Sequence, residues 1–255
     1  MKRLALFVIC LLVGACAPLP STLPHPQPTQ DELLQRLDAT RAAFFSLKGL
    51  AKASYRRGEE SMTASQVVIA RSPDKLRLEI LGLFGSPVMI LATDGAALTV
   101  LLPGEAKAFQ GAATSGFLQQ VLRLPLQQTD LVSLLLQQPL LLPWETTEVV
   151  YESDGRSRLM LENAYGLVQN LTFDRHLHLV ACEYRLAGIR QMLVSYANFD
   201  DVHNFPHNIQ LSLPPDDIDM TLDFSSAELN ADLLASRFVL VPPAGYTIEP
   251  LPGRP

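Results

Sequence analysis

Few residues in this chain stand at spacings that catalysis or metal binding requires. His176 and His178 share one face of a strand, and Asp200, Asp201, His203 and His207 crowd a polar stretch. Imidazoles and carboxylates of this kind are metal ligands, but no coordination geometry follows from the spacing, and solvated loop side chains are the simpler reading. Asp217, Asp219 and Asp223 fall on one strand face and read as its wet side rather than as paired acids. No GxSxG, HExxH, Walker A or GxGxxG pattern occurs, so neither an enzyme nor a cofactor is expected. The chemistry that does stand out is apolar. Gly82-Leu83-Phe84-Gly85-Ser86-Pro87 is a turn by its glycines and proline, yet its tip carries two large hydrophobes where polar residues are usual.

That turn is held by two strands. Lys75 to Ile80 alternates polar and apolar, the period of a strand with one wet and one dry face, and Val88 to Ala92 returns as a wholly apolar strand. Upstream, Thr29-Gln30-Asp31-Glu32 has the spacing of a capping box. The helix it opens places Leu33, Leu37 and Phe44 on one stripe, with Leu34 and Phe45 beside it, and is expected to end at Gly49. Leu50–Arg56 and Met62–Ala70 then flank Arg57-Gly58-Glu59, and Asp94-Gly95 is a strong hairpin signal before Ala97–Leu102. Residues 114–140 break the pattern. Leu118, Val121 and Leu122, then Leu131, Leu134 and Leu135, stand at i, i+3, i+4, giving two short helices parted near Pro125. Short strands resume from Glu145 and continue to Phe224, through an Asp154-Gly155 turn.

The expected fold is therefore mainly β (α+β): roughly eleven strands in a single antiparallel, incompletely closed β-barrel. An N-terminal helix and a short inserted helical pair would cover its opening. A barrel of more than about eight strands is too wide for its own side chains to fill. Leu76, Leu78, Ile80, Met89 and Leu91 are the expected lining of the space left over, and such a hollow suits an apolar ligand.

The chain ends carry different information. Lys2, Arg3 and the apolar run Leu4–Val13 read as a secretion signal, too short to span a bilayer. Val13-Gly14-Ala15-Cys16 resembles the lipobox of bacterial lipoproteins, which implies cleavage before Cys16 and acylation of that residue. The expected division is a signal peptide over 1–15, a lipidated Cys16 with a proline-rich tether over 16–28, a barrel domain over 29–248 and a tail over 249–255. Five prolines between Pro18 and Pro28 keep the tether extended, with a reach of about 40 Å. Losing Lys2 and Arg3 leaves 18 basic against 26 acidic residues, a charge of −8, which disfavours nucleic acid and electrostatic binding to anionic lipid. With Cys10 removed and Cys16 lipidated, Cys182 remains alone, so no internal disulfide forms. It reads as a small core residue. In such a lipoprotein the sequon Asn170-Leu171-Thr172 is accidental.

Lys75-Leu76-Arg77-Leu78 followed by Leu81-Gly82-Leu83-Phe84-Gly85 resembles the core motif of the LolB family of outer-membrane lipoprotein receptors, relatives of the LolA-like carriers. The order that follows is similar too: the Asp94-Gly95 hairpin, Leu122-Arg123-Leu124-Pro125-Leu126 with Asp130-Leu131, then Pro206–Leu213, Leu229-Asn230 and Phe238. The resemblance spans about residues 31 to 246 and is specific between about 70 and 140. It implies an unclosed barrel with a helical lid around a cavity for lipoprotein acyl chains. It further implies a monomer held in the outer membrane by its lipid anchor, facing the periplasm, and fed by a LolA-like periplasmic carrier. The loop matching Leu83, Phe84 and Gly85 inserts into the membrane in that family, and Phe84 stands where the family has leucine. The tether is longer than the family's.

Transfer of this kind needs no nucleotide. A triacylated cargo exposes about forty methylenes at about 0.8 kcal/mol each, so a carrier must replace tens of kcal/mol of lost apolar environment. Two alternatives remain open from the sequence. One is a LolA-like binder of another lipid or hydrophobic ligand, without transfer; the other is an envelope lipoprotein whose apolar loop docks on a protein partner.

Overall fold

The computed structural model describes residues 27–113 and 122–251. Helix α1 (Gln30–Ala43) starts where the sequence says it should: the Glu32 N–H donates to Thr29 Oγ1, and the Thr29 N–H donates to Glu32 Oε2 at 2.7 Å. These reciprocal bonds hold the Glu32 carboxyl below its usual range. The helix stops six residues earlier than Gly49. Phe44 is its C-cap and turns inward, while Phe45 points to water. Gly49 instead lies inside the first strand. A Cβ there would sit 2.6 Å from the Ser226 carbonyl and 2.9 Å from the Phe224 ring, so the glycine serves close strand approach rather than helix termination.

One sheet of 14 strands contains β1 (Ser46–Arg57), β2 (Glu60–Arg71), β3 (Lys75–Leu81), β4 (Pro87–Thr93), β5 (Ala97–Leu102) and β6 (Lys107–Ala112). It continues with β7 (Thr146–Tyr151), β8 (Ser157–Glu162), β9 (Leu167–Phe173), β10 (Leu179–Leu186), β11 (Ile189–Phe199), β12 (Pro206–Leu213), β13 (Ile218–Leu229) and β14 (Thr247–Pro250). In space the order is β14-β6-β5-β4-β3-β2-β1-β13-β12-β11-β10-β9-β8-β7. Two meanders, β1–β6 and β7–β13, are joined by the antiparallel pairing of β1 with β13, which runs from Leu47↔Leu229 to Arg57↔Ile218. Edge strands β7 and β14 do not pair with each other, so the rolled sheet stays open.

Fourteen strands stand where roughly eleven are expected from sequence, and the last, β14, is the one parallel pairing among the described residues, running beside β6. It has no alternating pattern to announce it, and it crosses the boundary expected after residue 248. Of the inserted helical pair, α2 (Gln128–Leu135) is present, its N-terminus tied by the Gln127 N–H donating to Asp130 Oδ2. The helix expected around Leu118 and Val121 lies outside the described residues.

Because the hairpin pairs alternate, the sheet has two distinct ends. The far end holds the turns at 72–74, 94–96, 152–156 and 174–178, and α1 lies across it. Arg36 Nε donates to the Leu177 carbonyl, and Phe44 meets Phe205 edge-on at 5.4 Å. The Tyr151 hydroxyl donates to the Pro28 carbonyl there, so the chain enters the fold at this end. Leu131, Val132, Leu134 and Leu135 of α2 are buried inside the roll. Tyr196 donates to the Leu134 carbonyl, and the buried Gln138 amide bridges back to the carbonyls of Arg41 and Phe44. Cys182 is a free, buried core residue whose thiol burial pushes to about 11, which makes it unreactive.

Candidate functional site

The half of the roll away from α1 is hollow. A cavity of about 330 Å³ lies between the sheet and α2. Strand register explains its wall. Ile80 pairs with Met89 and Leu78 with Leu91; Tyr55 pairs with Met62 and with Met220; Ala53 pairs with Ala64 and with Leu222. All but Leu91 line the space, together with Val68 and, from the other side, Leu122, Leu124, Leu131 and Leu135. Two facing alanines leave the room, and three methionines give the wall an adaptable surface.

Of the five wall residues expected from sequence, Leu78, Ile80 and Met89 line the cavity. Leu76 and Leu91 do not: both are fully buried nearer the far end, where α2 packs on β2 and β3. There the Gln128 amide reaches Thr93 and the Asp74 carbonyl, drawing the helix onto the sheet and leaving no gap. Tyr55, Met62 and Met220 were missed by sequence reasoning. The Arg57-Gly58 turn carried a signal for the first two, since it fixes the β1–β2 register. Met220 enters through β1–β13, for which no local signal exists.

Polar groups are few and placed at particular depths. Gln66 presents its amide to the hollow, and the Tyr55 hydroxyl is buried without a hydrogen-bond partner. At the mouth, Arg123 Nη1 meets Glu60 Oε2 at 2.9 Å, with both side chains more than half exposed. Such a pair contributes no more than about 1 kcal/mol, so it closes the mouth only weakly.

The β3–β4 hairpin that carries Ile80 and Met89 ends in the Leu83-Phe84 tip. The Gly85 N–H donates to the Gly82 carbonyl at 3.0 Å and the Gly82 N–H to the Ser86 carbonyl at 2.9 Å. Gly85 has φ +77°, the left-handed position of a three-residue hairpin loop. Among the described residues nothing packs on the tip: Leu83 is 100% and Phe84 97% exposed. They stand at the same end of the sheet as Met62, Glu60 and Arg123, beside the mouth.

The polar clusters have structural explanations. Asp200 ties its own loop by accepting from the N–H groups of Val202, His203 and Phe205. Burial alone would raise its carboxyl, but the N–H groups of His203, Phe205 and Val202 outweigh that and hold it below the usual range. His178 bonds Asp174 at 3.1 Å and stacks on Phe199; the His207 ring contacts the Phe224 carbonyl. Asp219 bonds Arg56 and Asp223 bonds Asn208. Among the described residues no group of three or more His, Cys, Asp or Glu side chains is placed to hold a metal ion. Cys16 lies outside the described residues.

No protein-family model matches the chain, and neither does any curated protein. Solved structures do. A LolA superfamily protein from Nitrosomonas europaea aligns with a TM-score of 0.54 at 15% identity, over 84% of this chain and 98% of its own. A domain described as an outer membrane lipoprotein-sorting protein from Vibrio parahaemolyticus gives 0.51 at 12% identity, over 81% and 94%. A DUF1329 family protein from Desulfovibrio piger gives 0.55 at 14% identity, over 81% and 94%. The chain has the fold of LolA-superfamily proteins, an open β-barrel-like antiparallel sheet with few helices.

Proposed function

We propose that this protein is an envelope carrier that shelters an acyl chain in its hollow and releases it into a membrane through the end that bears Leu83 and Phe84. One observation carries the reading: the hairpin that walls the cavity with Ile80 and Met89 ends in two bare hydrophobes beside the mouth. Two large bare hydrophobes side by side mark a surface that meets another apolar surface. A carrier has a use for such a tip, because lowering it into a bilayer contributes about 1.5–3 kcal/mol per side chain and sets the mouth against the destination.

The size of the hollow refines the cargo. At about 30 Å³ per heavy-atom group, the share of a water molecule in the liquid, some ten groups fit. That is most of one acyl chain and far short of the forty or so methylenes of a triacylated cargo. Sheltering ten methylenes replaces about 8 kcal/mol of apolar exposure, enough to hold one chain and little enough to let a bilayer take it. A larger load requires Leu122, Leu124 and α2 to move away from the sheet, breaking the weak Arg123–Glu60 pair. The finer reading is LolB-like: a monomer lipidated at Cys16, held in the outer membrane facing the periplasm, and supplied by a LolA-like carrier. The resemblance around Leu81–Gly85 and the lipoprotein-sorting description of the Vibrio relative support it.

Phe84→Glu tests this reading. Binding of a fluorescent acylated peptide should persist while its delivery to vesicles stops. A binder without transfer would bind the peptide and deliver none with or without the substitution, and a docking protein would bind no acyl chain at all.

A further inference from the structure

The hairpin tip at Leu83-Phe84 has a counterpart across the mouth. In the β8–β9 hairpin the Gly166 N–H donates to the Asn163 carbonyl and the Asn163 N–H to the Leu167 carbonyl, both at 3.1 Å. Gly166 has φ +71°, against +77° for Gly85. The two loops are the same device, and each places an aromatic residue just before its glycine. Tyr165 is 87% exposed. Three apolar neighbours stand beside it at the same end. Trp144 leads into β7 where the Glu145 N–H pairs with the Glu162 carbonyl, and Leu186 faces Ile189 across the β10–β11 turn; all three are exposed.

We propose that Trp144, Tyr165, Leu186 and Ile189 form a second membrane-contact rim, seated in the headgroup layer of the same bilayer that receives Leu83 and Phe84. The inference rests on the reading of the mouth as membrane-facing and extends it from one point of contact to two. Three observations carry it. First, seven strands separate β3 from β8 in the sheet. At about 4.8 Å per strand that is nearly 40 Å of arc, so the tips stand on well-separated parts of the rim, and a flat surface laid across the mouth meets both. Second, the rim has a mixed character suited to an interface. Tyr and Trp have polar edges for the headgroup layer, and Glu145 and Glu162 keep the rim out of hydrocarbon. Third, Arg185 and Arg190 both bond the single Glu183 carboxylate, at 3.0 and 2.6 Å, which sets two guanidinium groups beside Leu186 and Ile189 as donors for lipid phosphate.

Trp144 is the chain's one tryptophan, so it reports on this rim directly. The full chain, reconstituted into vesicles of phosphatidylethanolamine and phosphatidylglycerol (3:1) doped with a brominated phosphatidylcholine, should show quenched and blue-shifted Trp144 emission. Tyr165→Ser with Ile189→Ser should abolish the quenching, whereas Tyr165→Phe should keep it. A second reporter, Phe84→Trp in a Trp144→Phe background, reads the other tip. If that reporter is quenched while Trp144 in the unaltered chain is not, this proposal is overturned alone, and the rim faces water or a protein. If neither is quenched, the membrane-facing mouth falls with it.

Discussion

Two turns at each end of the sheet share one geometry and carry opposite chemistry. At the far end, Glu152–Arg156 and Asp174–His178 close with the hydrogen bonds seen at Gly82–Ser86 and Asn163–Leu167, and Gly155 and Leu177 take the left-handed φ of Gly85 and Gly166. Their tips carry Ser153-Asp154 and Arg175-His176; the mouth-end tips carry Leu83-Phe84 and Ala164-Tyr165. Turn geometry therefore does not dictate the apolar choice. The interior divides along the same axis: near the far end, α1, α2, Phe44 and Phe205 fill the roll, and toward the mouth Ala53, Ala64 and the methionines leave it empty.

The division predicts that filled and hollow halves respond oppositely to mutation. The largest effect is expected for Leu76→Ala in the filled half, a loss of about 2–5 kcal/mol in urea-induced unfolding with acyl-chain binding retained in the surviving folded fraction. In the hollow half, Ala64→Phe should do the reverse, weakening binding of a fluorescent fatty acid by about tenfold or more while leaving the unfolding midpoint nearly unchanged, because the ring enters empty space. Comparable destabilisation by both substitutions would dissolve the distinction. Thr29→Ala removes a cap from the helix that closes the far end and should cost about 1 kcal/mol, read as a lowered Tm without change in binding.

The smallest effect is one of pH. Asp94, whose carboxylate accepts from the Ala97 and Ala96 N–H groups, and Asp200 both titrate below the ordinary aspartate range. A depressed folded value means that their stabilising contribution is whole above the unfolded aspartate pKa, near 3.9, and is lost as pH falls below it. Both lie in far-end loops, so hydrogen exchange at the amides they hold, Ala96 and Ala97 for one and Val202, His203 and Phe205 for the other, should quicken as pH falls below about 4.

How far the sequence foretold all this depended on the range of the interaction. Thr29 with Glu32, Asp94 with Gly95, and Leu83-Phe84 between two strands act within a few residues, and each stands as its pattern implies. Gly49 misled because a glycine after a helical stretch looks like a stop, whereas its reason is Ser226 and Phe224, far along the chain. The β1–β13 pairing joins residues more than 160 apart, and with it comes Met220. Leu76 and Leu91 have the right parity for the cavity wall, but parity does not say how deep α2 sits. The Tyr165 tip was legible in part: Asn163-Ala164-Tyr165-Gly166 repeats the aromatic-before-glycine pattern of Gly82-Leu83-Phe84-Gly85, and only the strand count places both at one end.

The hydrogen bond between Tyr151 and Pro28 fixes where the leash of a lipid-anchored molecule would be tied: at the pole opposite the mouth. Twelve Cα-to-Cα steps lead from Cys16 to Pro28, and fully drawn out they reach no more than about 40 Å. Strand β1, with its 12 residues, is about as long. Such a molecule can bow to its own leaflet only with the leash taut along its flank, so removing even a few of those prolines would leave it upright, its opening turned toward the space beyond.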